Sequence, residues 1–106
     1  MVAELTPREL RARRDAGEEP LVLDVREDWE LGIARLPGVV HIPMREIPAR
    51  LGELQRDRDI VVMCRSGGRS MQVAEFLERN GFPSVANLRG GILAWARDVD
   101  PSIPTY

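Results

Sequence analysis

Lysine is missing altogether, and all 15 basic residues are arginine. No Schiff-base lysine and no phosphate-loop lysine is therefore available. There is a single cysteine, which excludes an internal disulfide and a multi-cysteine metal site. There is a single histidine, His41, and with no second ligand cluster beside it a structural role at the neighbouring turn is the better reading than a base or metal ligand. Aromatic residues are scarce at 5%. No unbroken apolar run is longer than the five residues Ile60 to Cys64, far short of a membrane span, and Met1 to Leu5 holds no basic segment leading into an apolar one. A cytoplasmic protein is the expectation. A net charge of −2, spread along the chain, gives no reason to expect nucleic acid or an anionic membrane as partner. The cluster Arg11, Arg13 and Arg14 is too short to argue otherwise and reads as a solvated helix face.

What is present suits one domain across residues 1–106, with 43% hydrophobic residues to form its core. Thr6-Pro7-Arg8-Glu9 is a capping box with proline in the first turn, Leu5 and Leu10 are spaced as a hydrophobic staple, and Gly17 ends the helix. Leu21 to Val25 reads as a buried strand. Asp28 to Leu36 reads as a loop with one helical turn, Pro37-Gly38 as a turn, and Val39 to Ile42 as a short strand. Ile47, Leu51 and Leu54 recur at helical spacing between Met44 and Gln55. Ile60 to Met63 is a continuous apolar strand of the kind buried on both faces in parallel sheets. A helix follows, with Met71, Val73, Ala74, Phe76 and Leu77 on its apolar face. Val85 to Leu88 is a last strand, Gly90-Gly91 opens a last helix, and residues 98–106 form an irregular tail. The alternation of strand and helix predicts an α/β domain with a mostly parallel sheet.

In such sheets ligands bind beyond the carboxyl ends of the strands. Cys64 stands at such an end and opens the loop Cys64-Arg65-Ser66-Gly67-Gly68-Arg69-Ser70. A lone cysteine after a run of valines is ordinarily packing. Here two glycines let the backbone curl with several amides facing inward, the following helix adds its amino-terminal partial charge, and Arg65 and Arg69 add two full charges. A thiol in that setting is expected to drop from about 8.5 toward roughly 4–7. Asp24 and Arg26, at another strand end, either line the site or form a buried pair or hydrogen-bond anchor; unpaired burial of either charge would be costly. Trp29 and Trp95 read as core, with a pocket wall as the alternative.

Three separated blocks, in order, resemble the rhodanese family. They are Leu23-Asp24-Val25-Arg26-Glu27, continued by Glu30 and Leu36-Pro37-Gly38-Val39-Val40-His41-Ile42-Pro43; the Cys64 to Ser70 loop; and Asn87-Leu88-Arg89-Gly90-Gly91-Ile92-Leu93-Ala94-Trp95. The resemblance implies a single rhodanese-like domain, a five-stranded, mostly parallel sheet with helices on both faces. It also implies sulfur transfer in two steps. The Cys64 thiolate would take the outer sulfur of a small anionic donor such as thiosulfate. The Cys64 persulfide would then pass it to a thiol or cyanide acceptor, in ping-pong fashion and with neither cofactor nor metal. Arg65, Ser66, Gly67, Gly68, Arg69 and Ser70 would bind the substrate, Arg65 and Arg69 orienting the anion. Cysteine phosphatases resemble this loop but place five residues between cysteine and arginine; here there are four, which matches the sulfur-handling branch. Two further readings stand beside the enzyme: a relay module served by a sulfur-donor or sulfur-acceptor protein, and a redox sensor, which would need a thiol from outside the chain. One departure is that Ala34-Arg35 stands where the family often has Gly-His, which bears on local packing or donor preference.

Overall fold

The computed structural model describes residues 2–106. Five strands form one sheet: β1 (Ala3–Leu5), β2 (Leu21–Asp24), β3 (Val39–His41), β4 (Ile60–Met63) and β5 (Val85–Leu88). Their order is β1-β5-β4-β2-β3, and every pairing is parallel. All five carboxyl ends therefore open on one edge, with the Cys64 strand, β4, in the middle. The helices are α1 (Pro7–Asp15), α2 (Asp28–Ile33), α3 (Gly68–Arg79) and α4 (Gly91–Asp98).

Alternation along the strands divides the core in two. Leu21, Leu23, Val25, Ile60, Val62 and Cys64 pack with Val73, Ala74 and Leu77 of α3 on one face. Val22, Val61 and Met63 pack with Leu10 of α1 and Ile92 and Trp95 of α4 on the other. Both faces of β2 and β4 are thus covered, which is why their sequences run apolar without a break. Cys64 continues the β4 alternation onto the α3 face.

The capping box forms as the sequence indicates: the Thr6 amide donates to Glu9 Oε1 (2.8 Å) and the Glu9 amide to Thr6 Oγ1 (3.2 Å). Four expectations are corrected. Asp28–Ile33 is a helix rather than a loop with one turn, and Glu30 Oε2 accepts from the Glu27 amide at its start (2.8 Å). The segment with helical spacing between Met44 and Gln55 is two 3₁₀ turns, Met44–Glu46 and Pro48–Glu53. Pro48 has no amide to donate, and Arg50 departs from helical geometry at φ −119°. Strand β1 lies in a stretch that the sequence offered only as the lead-in to α1. Trp29 is 64% exposed, not core, whereas Trp95 is buried.

Candidate active site

Cys64 follows the central strand, and the two neighbouring strands flank it with Asp24 at the end of β2, Arg26 just beyond it, and Asn87 on β5. Its side chain is 1% exposed. Apolar residues of the α3 face pack on one side of it, while the loop amides turn toward the sulfur on the other. The Gly67 amide donates to Sγ at 3.1 Å and the Ser70 amide at 3.4 Å; the Ser66 amide contributes too. Ser70 Oγ lies 3.3 Å from Sγ. Burial pushes the thiol up, but the Ser70 hydroxyl and these amides outweigh it and bring Cys64 below its ordinary value.

The closing glycines explain how the loop holds this shape. The amides of Ile92 and Leu93 at the start of α4 donate to the carbonyls of Cys64 (2.9 Å) and Arg65 (3.2 Å). With those carbonyls tied to α4, the amides that follow are free to face the sulfur. The contact is so close that a Cβ on Gly91 would lie 2.4 Å from the Cys64 carbonyl oxygen and 2.5 Å from that of Arg65. Gly67, at φ +108°, makes the turn into α3.

The two loop arginines are less free than the sequence suggests. Arg69 forms a two-pronged pair with Glu30, Nη1–Oε2 2.7 Å and Nη2–Oε1 2.8 Å. That guanidinium is the main reason the Glu30 carboxyl is held at about 2. Arg69 is near enough to Cys64 to interact with its charge, but its main partner is Glu30. The Arg65 guanidinium donates through Nε (2.6 Å) and Nη2 to the main-chain oxygen of Tyr106, and stacks over the Tyr106 ring at 5.2 Å. Both arginines bring charge to the loop but share it with Glu30 and Tyr106, and the groups that lower the Cys64 thiol are first a hydroxyl and amides.

Asp24 and Arg26 are each 0% exposed and form a buried pair, with Nη2–Oδ2 at 2.7 Å. Arg26 also donates to the Ala34 carbonyl (2.9 Å) and the Tyr106 hydroxyl (2.9 Å). None of these contacts reaches Sγ, so the pair serves as an anchor at the β2 end. His41 Nε2 donates to the Arg26 carbonyl at 2.6 Å, fastening the same corner. Tyr106 closes the assembly: its hydroxyl donates to Glu30 Oε1 at 2.8 Å. Ser66 and Gly68 are exposed and rim the loop, while Ser70 is fully buried. Beside Arg69 an open hollow of about 390 Å³ is lined by Val25, Glu27, Met44, Arg45 and Pro48.

The model of the rhodanese-like domain matches residues 6–98. The chain belongs to the rhodanese-like sulfurtransferase family. It is 42% identical over 97 residues to a sulfurtransferase of Allochromatium vinosum, covering 92% of this chain and 91% of that one. It is 36% identical over 104 residues to the probable adenylyltransferase/sulfurtransferase MoeZ of Mycobacterium tuberculosis, covering 96% of this chain but 26% of that protein. The crystal structure of a rhodanese-like domain protein from Staphylococcus aureus superposes with a TM-score of 0.86 at 30% identity, covering 99% of each chain.

Sequence reasoning singled out the rhodanese loop but missed two side chains that the fold brings to it, Asn87 and Tyr106. Asn87 carried a signal, since a polar residue in an otherwise apolar parallel strand needs a partner. Tyr106 carried none: the tail has no period, and its last residue reaches the site only through the fold. Among the described residues, no group of three His, Cys, Asp or Glu side chains is placed to hold a metal ion.

Proposed function

We propose that Cys64 is a sulfur carrier that accepts sulfane sulfur from a small anionic donor of the thiosulfate type and passes it on. The observation that carries this reading is the set of amides converging on Sγ. In the first step the Cys64 thiolate attacks the outer sulfur of the donor. The new S–S bond uses a thiolate electron pair, and the pair of the broken S–S bond leaves with sulfite. The persulfide's outer sulfur carries the charge, within reach of the loop amides at Ser66 and Gly67. In the second step a thiophilic acceptor, such as a thiolate or cyanide, attacks that outer sulfur and Cys64 leaves as thiolate. Each step regenerates an anion, so no general base is needed. Arg69 and Arg65, each already shared with Glu30 or Tyr106, orient the anionic donor at the loop mouth through their remaining N–H groups.

The test is steady-state turnover with thiosulfate and cyanide, following sulfite and thiocyanate. Parallel double-reciprocal lines and complete loss in Cys64→Ala are expected. Converging lines, or turnover that survives Cys64→Ala, would reject the scheme. A relay function is the second reading, favoured by similarity to a segment of a longer adenylyltransferase/sulfurtransferase. Under it, thiosulfate loads Cys64 poorly while a protein persulfide loads it quickly.

A further inference from the structure

Ser70 and Asn87 meet where α3 packs on β5, 0% and 2% exposed respectively. Asn87 Nδ2 faces two acceptors, the Gly67 carbonyl and Glu4 Oε2, each at 3.3 Å. Both can only accept, so the amide is oriented with its Oδ1 toward Ser70. The Ser70 Oγ lies 2.5 Å from that Oδ1. An amide oxygen cannot donate, so the Ser70 hydroxyl is the donor in this bond. The same Oγ is 3.3 Å from Cys64 Sγ. A hydroxyl has one proton, and it cannot serve carbonyl and sulfur fully at once.

We propose that Asn87 is a positioning residue for Cys64, competing with the sulfur for the Ser70 proton and so holding back ionisation of the unloaded thiol. In the neutral thiol the shorter bond wins: Ser70 donates to Asn87, and S–H donates to the Ser70 lone pair. Ionisation removes the S–H proton, and Ser70 must then turn its own proton to Sγ, leaving Asn87 Oδ1 opposite a lone pair. The loop amides still favour the anion; Asn87 sets how far. The consequence for sulfur storage rests on the persulfide reading. In a persulfide Sγ is neutral and the charge sits on the outer sulfur, so Ser70 returns to Asn87 without loss. The Ser70–Asn87 bond thus disfavours the empty thiolate and leaves the loaded form untouched.

The pH dependence of iodoacetamide alkylation of Cys64 tests this without any sulfur donor, so its failure is separable from failure of the sulfur-transfer reading. The charged or titratable groups around Cys64 are Arg65 and Arg69, Glu30 of α2, Asp24 at the end of β2 and Arg26 beyond it, Glu4 of β1 and Tyr106. All are kept in the variants Asn87→Ala, Asn87→Leu, Ser70→Ala and the double change at 70 and 87. Both Asn87 variants should move the alkylation midpoint down by roughly 0.5–1 pH unit. Ser70→Ala should move it up, and adding Asn87→Leu to Ser70→Ala should change nothing more. An unchanged or raised midpoint in a folded Asn87 variant overturns the proposal. So does a downward shift of the same size when Ser70 is absent. Asn87→Leu keeps the branched outline and heavy-atom count of the side chain and decides the matter if Asn87→Ala does not fold.

Discussion

The residues around Cys64 divide by what they balance. Arg69 faces two anions, the Glu30 carboxylate and the Cys64 thiolate, and its removal hurts both. Arg69→Ala is expected to raise the alkylation midpoint of Cys64 and to lower stability by about 1–3 kcal/mol, since Glu30, 2% exposed in the native protein, would lose its only charged partner among the described residues and keep just the Tyr106 hydroxyl and the Glu27 amide. Glu30→Gln should do the opposite to the thiol, lowering its midpoint by freeing the guanidinium. If both variants shift the midpoint the same way, the electrostatic account of the loop is wrong. Asp24 and Arg26 obey a different rule because neither touches water. Asp24→Ala strands a buried guanidinium and should cost roughly 3–5 kcal/mol by urea unfolding. Replacing both partners with apolar residues should cost less than Asp24→Ala alone, and a larger loss for the double change would refute the anchor role. The sequence left Asp24 and Arg26 open between site and anchor, because spacing in a strand end does not say which way two charges turn.

At the scale of elements, the loop owes its shape to the start of α4. Gly91 has φ +60°, and any Cβ there would strike the carbonyls that α4 is holding. Gly91→Ala should destabilise by about 2–4 kcal/mol and also raise the Cys64 alkylation midpoint, because the amide nest opens when those carbonyls are displaced. A loss of stability with an unchanged midpoint would mean that α4 supports the fold but not the nest. The elements that were legible in the sequence are those whose burial imposes a pattern: β2 and β4, covered on both faces, and α1 with its capping box. The Met44–Glu53 stretch has the apolar spacing of a helix but meets the core only through Ile47 and its partly buried neighbours, and Pro48 breaks its hydrogen bonding. Strand β1 is short, with Ala3 and Glu4 exposed, so its existence depends on β5 offering an edge and not on its own sequence.

For the whole molecule, acid stability follows from the pair that ties α2 to the loop. Glu30 is held at about 2, below the ordinary carboxyl value of 4.5, chiefly by Arg69. A depressed carboxylate contributes its full stabilisation above the unfolded value and loses it as the pH falls. The contribution, on the order of 2 kcal/mol after allowance for the partly exposed Arg69, should therefore fade between about pH 4.5 and 2. Urea midpoints measured across that window should fall more steeply in the native protein than in Glu30→Gln; equal slopes would remove Glu30 from the account. The parallel sheet brings β2, β4 and β5 to one edge, and the tail returns Tyr106 to the same place, so a site scattered along the sequence becomes one cluster. Intact-mass measurement after thiosulfate treatment tests the central claim most directly. A gain of one sulfur atom, absent in Cys64→Ala and removed by cyanide, is the predicted result; an unchanged mass with thiosulfate and with a protein persulfide alike would contradict it.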